Sequence, residues 1–109
     1  MKKISLYFIF LIFIANVSSQ QNASISAAIK TAKLLERRGD IDGTISIYKG
    51  ILEKNPKHTM SVHRIKSLYL NYERYNDGIE FLNERISKEP YNMRLYSELG
   101  ELHYLNEKK

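Results

Sequence analysis

The feature that most constrains this chain is an internal repeat. Asn55-Pro56 and Glu89-Pro90 hold the only prolines, and Pro56 and Pro90 stand 34 positions apart. At the same offset Gly39-Asp40-Ile41-Asp42-Gly43-Thr44-Ile45-Ser46-Ile47-Tyr48 falls on Glu73-Arg74-Tyr75-Asn76-Asp77-Gly78-Ile79-Glu80-Phe81-Leu82. A third, partial copy opens at Met93 and sets Leu99-Gly100 on Ile65-Lys66. A fixed period of this length marks a stack of similar units, each burying its apolar face on a neighbour.

Within each period the apolar residues recur at helical spacing. The first helix carries Ile25, Ala28, Ile29, Ala32, Leu34 and Leu35 and is closed by Gly39, since glycine enters the left-handed region without steric cost. Asp40 caps a second helix with Ile41, Ile45, Ile47, Tyr48, Ile51 and Leu52 inward, and Pro56 stops it. Val62, Ile65, Leu68, Tyr69 and Tyr72 predict a third helix; Ile79, Phe81, Leu82 and Ile86 a fourth, ended by Pro90. Asn92 caps a fifth, Met93 to Asn106, with Leu95, Tyr96, Leu99, Leu102, His103 and Leu105. No run alternates with period two for long enough to make a strand. The expected fold is all-α, five helices in antiparallel pairs.

Residues 1–19 stand outside this pattern. Met1-Lys2-Lys3 precedes an apolar run from Ile4 to Val17, and Val17-Ser18-Ser19 offers small residues before Gln20. The run spans about 21 Å as a helix at ~1.5 Å per residue, short of a hydrocarbon core of ~30 Å. The expectation is a secretory signal peptide, with an uncleaved membrane anchor as the alternative, and hence a periplasmic or secreted protein of bacterial type. Residues 20–24 then form a polar lead-in, and 25–109 the repeat domain (25–58, 59–92 and a partial 93–109). Asn22-Ala23-Ser24 has the spelling of a glycosylation acceptor, read as coincidence in such a chain. Without Lys2 and Lys3 the 17 basic residues become 15 against 12 acidic ones, a net charge of +3 too mild to argue a nucleic-acid partner. With no cysteine there is no disulfide framework, so apolar packing must hold the mature domain.

Helix pairs of this period, closed by proline, resemble the tetratricopeptide repeat. The residues that carry the resemblance are Ala32, Leu35, Thr44, Tyr48 and Pro56 in the first copy. Tyr69, Gly78, Leu82 and Pro90 carry it in the second, and Tyr96, Leu99 and Gly100 in the third. Small residues let paired helices approach, as Ala32 against Thr44 does on this reading. In the second copy Lys66 takes the small position, with Gly78 expected to face it and leave room for its stem. The resemblance implies an α-α superhelix whose first helices turn one stripe to a groove. That stripe would hold Ser26, Ile29, Lys30, Lys33 and Arg37, then Met60, His63, Arg64, Ser67 and Asn71, then Arg94, Ser97, Glu98, Glu101 and Tyr104. The family's clamp of Lys, Asn and Arg around a peptide carboxylate is missing here, because Ile29, Lys33 and Glu98 occupy three of its places and only Arg94 matches.

Catalysis has no residue set behind it. His58, His63 and His103 lack the spacing of a helix-borne metal site, with His58 expected in solvent and His103 packed. Glu36, Asp40 and Asp42, or Glu80 and Glu84, are explained by solvated faces and caps, and no nucleophile adjoins a base. Of Tyr69, Tyr72, Tyr75, Tyr91, Tyr96 and Tyr104, half or more are expected to fill space between helices, with Tyr104 the exception. The function expected is a non-catalytic interaction module for a protein or peptide, without cofactor or metal. The alternative is an envelope-assembly component that self-associates. Leu95, Tyr96, Leu99, Leu102, Tyr104 and Leu105 exceed what one neighbouring hairpin covers, so the fifth helix is expected to belong to a longer array or to pair with a second copy.

Overall fold

A computed structural model describes residues 21–108. The expected signal peptide lies outside them. Among the described residues the chain is all-helical, with five helices and no strand. They are α1 (residues 21–37), α2 (Ile41–Lys54), α3 (Thr59–Asn71), α4 (Tyr75–Lys88) and α5 (Met93–Glu107). The sequence period reappears in the helix boundaries: α4 begins and ends one period after α2, and α5 begins one period after α3. Residues 21–24 are exposed, yet they belong to α1 rather than to a lead-in. No helix among the described residues is long and apolar enough to cross a membrane.

The turns explain why the boundaries recur. At the end of α1, Gly39 adopts φ 82°, Gly39 N donates to Glu36 O (3.0 Å), and Asp40 N donates to Leu35 O (3.0 Å). This pair of bonds satisfies carbonyls that a helix end leaves open. One period on, Glu73 takes φ 56°, Glu73 N donates to Leu70 O (3.1 Å), and Arg74 N donates to Tyr69 O (2.8 Å). The same turn is thus made once with glycine and once with a side chain that disfavours it. Asp40 Oδ1 caps α2 by accepting from Gly43 N at 2.9 Å, whereas Arg74 gives α4 no such cap and instead reaches Asp77 at 2.9 Å. The proline turns match as well: His58 N donates to Asn55 O and Asn92 N to Glu89 O, both at 3.1 Å. His58 Nδ1 accepts from Ser61 N (3.3 Å) and Asn92 Oδ1 from Arg94 N (3.2 Å), so each turn ends in a capping side chain. His58 is therefore half-buried and structural, not solvated.

The chain falls into two compact units, divided after Ile47. In the first, Ala32 and Thr44 are both fully buried, and Thr44 Oγ1 donates to Asp40 O (2.7 Å) and lies 3.5 Å from Ala32 O. Leu35 is half-buried, and Leu34, expected in the core, is exposed.

The second unit, from Tyr48 onward, has α4 packed against both α3 and α5. Its core comprises Tyr48, Ile51, Leu52, Ile65, Leu68, Tyr69, Phe81, Leu82, Leu95 and Leu102. Tyr69 and Phe81 meet with ring centroids 6.5 Å apart. The close approach is at Gly78, where an added Cβ would stand 2.8 Å from Leu102 Cδ1 and 3.3 Å from Tyr69 Cβ. Gly78 therefore makes room for α3 and α5 at once. Lys66 is buried along its length, and its Nζ meets Glu101 of α5 at 2.5 Å. Arg85, also buried, donates to Pro56 O at 2.5 Å and ties α4 to the first proline turn. Tyr72, Tyr96 and His103, expected inside, are exposed.

Candidate functional site

A cleft opens where the two proline turns lead into α3 and α5. It holds about 360 Å³ of atom-free space, part of it open solvent. Val62 and Leu95, both buried, give it an apolar lining, and Pro56 and Thr59 add to one side. Its polar and charged lining comes from Lys57 and His63 on one side, and from Glu89, Asn92, Arg94 and Glu98 on the other. Arg94 Nε stands 3.6 Å from Glu98 Oε1, one helical turn away, and Glu98 is the more buried of the pair.

The pseudo-repeat is what builds this arrangement. Pro56 and Pro90 end α2 and α4 in equivalent turns, so α3 and α5 start at equivalent places. His58 and Asn92 then fix the first turn of each helix. The lining residues project from the first two turns of each helix and from the loops before them.

Of the residues expected to line a groove, the cleft brings together His63, Arg94 and Glu98. Met60, Asn71, Ser97 and Tyr104 are exposed on α3 and α5 but outside it, and Arg64 and Ser67 are half-buried. Glu101 is held by Lys66, and Lys108 Nζ lies 4.5 Å from the Tyr104 ring centroid. Ser26, Lys30, Lys33 and Arg37 are exposed on α1, and Ile29 is half-buried there. Among the residues read as packing, Ala32, Thr44, Tyr48, Tyr69, Gly78 and Leu82 are buried, Leu35 and Leu99 half-buried, and Tyr96 and Gly100 exposed. Pro56 and Pro90 are exposed in their turns. Of the six later tyrosines only Tyr69 is buried and Tyr75 half-buried, so fewer pack between helices than the spacing suggests.

Lys57, Thr59, Glu89 and Asn92 line the cleft without having been expected there. They sit in or beside the turns, and only the equivalence of the two proline turns could have singled them out. A second, more polar cleft, about 470 Å³ of atom-free space with open solvent included, lies between the second half of α2 and α4, lined by Lys49, Glu53, Phe81, Glu84, Arg85 and Lys88. Among the described residues no three His, Asp or Glu side chains gather as they would around a metal ion.

No protein-family model matches the chain, and no curated protein is similar to it in sequence.

Proposed function

We propose that this chain is a non-catalytic interaction module, built on tetratricopeptide-like helix pairs and exported from a bacterial cell, that holds a segment of a partner polypeptide. The observation that carries this reading is the cleft between the N-terminal ends of α3 and α5, with Val62 and Leu95 beside His63, Arg94 and Glu98. The lining suits a short peptide stretch that lays one apolar side chain on Val62 and Leu95 with polar or charged neighbours beside it. The recurrence of helix boundaries at a fixed period supports the repeat architecture, and the basic start and short apolar run before Gln20 support export.

A synthetic peptide array of randomised eight-residue segments tests the site. The mature chain is expected to retain a related set of sequences with a shared apolar position. A His63→Glu, Arg94→Glu variant, altered only at exposed positions, is expected to lose that set. Retention of the same sequences by the variant overturns the reading.

A further inference from the structure

Three helices carry the same repeat position, each one period after the last: Ala32 in α1, Lys66 in α3 and Gly100 in α5. The first two are covered. Ala32 is fully buried with Thr44 of α2 beside it, and Lys66 is 8% exposed on the helix that α4 packs against. Gly100 is exposed, and a Cβ built on it meets nothing within 4 Å.

The surroundings of Gly100 differ in the same way. Val62, Ile65 and Tyr69 of α3 are all buried, and their counterparts in α5 are Tyr96, Leu99 and His103. Tyr96 is 42% exposed, Leu99 half-buried and His103 exposed. The Tyr96 hydroxyl donates to Pro90 O at 2.9 Å, which holds that ring at the N-terminal end of the stripe. On the adjoining stripe of α5, Leu95 and Leu102 are buried, Leu102 against Gly78 of α4. The open stripe is thus continuous with an interface already formed, and Leu99, half-buried, sits at the border.

The molecule also shows what kind of element covers this stripe. At Ala32 the covering side chain is Thr44, followed four residues later by the buried Tyr48. Against α3 it is Gly78, which approaches Tyr69, followed four residues later by the buried Leu82. Both belong to amphipathic helices with a small residue in the first turn and a large one at the next turn on the same face. The small residue lets the backbones approach, and the large one fills the space beside it.

We infer that α5 docks an amphipathic helix of another polypeptide through Tyr96, Leu99, Gly100 and His103. The docked helix presents a small residue to the stripe and a large apolar residue four positions later. This surface lies on a different stripe from the cleft residues Arg94 and Glu98, so it stands independently of the function proposed for that cleft.

The probes are two lactam-stabilised, fluorescein-labelled peptides with the sequences of residues 40–54 and 74–88, since free peptides this short hold little helix in water. Anisotropy is read against the mature chain, its Gly100→Leu variant and its His63→Glu, Arg94→Glu variant. Saturable binding of at least one peptide is expected. Gly100→Leu should weaken it about tenfold or more, because the added side chain blocks the close approach. The His63→Glu, Arg94→Glu variant should bind like the parent. Because Gly100 is exposed, Gly100→Leu is expected to melt no lower than the parent, which keeps lost binding distinct from lost folding.

Absence of binding by both peptides overturns the inference, as does equal binding by parent and Gly100→Leu. So does a monomer–dimer equilibrium in sedimentation that Gly100→Leu abolishes and neither peptide competes with, since the stripe would then belong to a second copy of the chain.

Discussion

Helices α3 and α5 begin at equivalent points of the repeat and carry comparable apolar residues, yet they are buried to different depths. Six residues of α3 are buried: Ser61, Val62, Ile65, Lys66, Leu68 and Tyr69. In α5 only Leu95 and Leu102 are. The difference follows from neighbours. Helix α4 stands on α3 with Phe81 against Tyr69, and it reaches α5 from one side through Gly78 and Leu102. The corresponding second side of α5, around Gly100, has no helix on it among the described residues. An apolar side chain contributes to stability in proportion to the area that a neighbour removes from water, so equal sequence patterns give unequal stabilisation.

The largest expected effect breaks α5 where it is covered. Leu102→Ala should destabilise by about 2–5 kcal/mol, because it empties space beside Gly78. Leu99→Ala, three residues earlier on the open border, should lose under ~1 kcal/mol. Urea unfolding of both variants measures the contrast, and equal losses would mean that the two stripes of α5 are packed alike.

Next comes the covered position of the first repeat. Ala32→Leu should lose about 1–3 kcal/mol by overpacking against Thr44, while Lys33→Leu, one residue along and exposed, should be close to neutral. Thermal melts of the pair report whether Ala32 lies at a crossing.

Two glycines sharpen the comparison through the sign of the effect. Gly100→Ala should stabilise by about 1 kcal/mol, since alanine favours the helix and its methyl meets nothing. At Gly78 the same helix preference is opposed by contacts of 2.8 Å and 3.3 Å with the buried Leu102 and Tyr69. Overpacking of about 1–3 kcal/mol should outweigh it, so Gly78→Ala should melt lower. A shift of the same sign at both positions would remove the distinction between the covered and the open helix.

The smallest effect concerns the two turns. Glu73 holds the left-handed conformation that Gly39 holds one period earlier. Glu73→Gly should raise stability by at most ~1 kcal/mol, whereas Gly39→Glu should lower it by a similar amount. Chemical denaturation of the two variants, read side by side, tests whether the turns are equivalent in energy as well as in geometry.

Much of the fold was legible in the chain because its signals are local. Gly39, Asp40, Pro56, Pro90 and Asn92 act on dihedral angles and hydrogen bonds within a few residues of themselves, and they end or start helices where the sequence alone placed them. Less of the candidate site was legible. Exposure placed most of the proposed groove residues outside the helix packing, but only His63, Arg94 and Glu98 share the cleft. His58 reads as solvated in the sequence because Nδ1 capping by histidine has no strong sequence signature, and His103 reads as packed because the spacing of α5 matches that of α3.

By itself, the sequence determined the helical class, the repeat period and most helix boundaries, since propensity, capping and proline geometry are written into short segments. Tertiary structure alone decided which apolar stripes are covered. It also sent the Lys66 ammonium to Glu101, 35 residues away, and set Gly78 against Leu102 of α5 and Tyr69 of α3. Those outcomes depend on which helix surface meets which. A periodic sequence offers several equivalent surfaces, and only packing in three dimensions chooses among them.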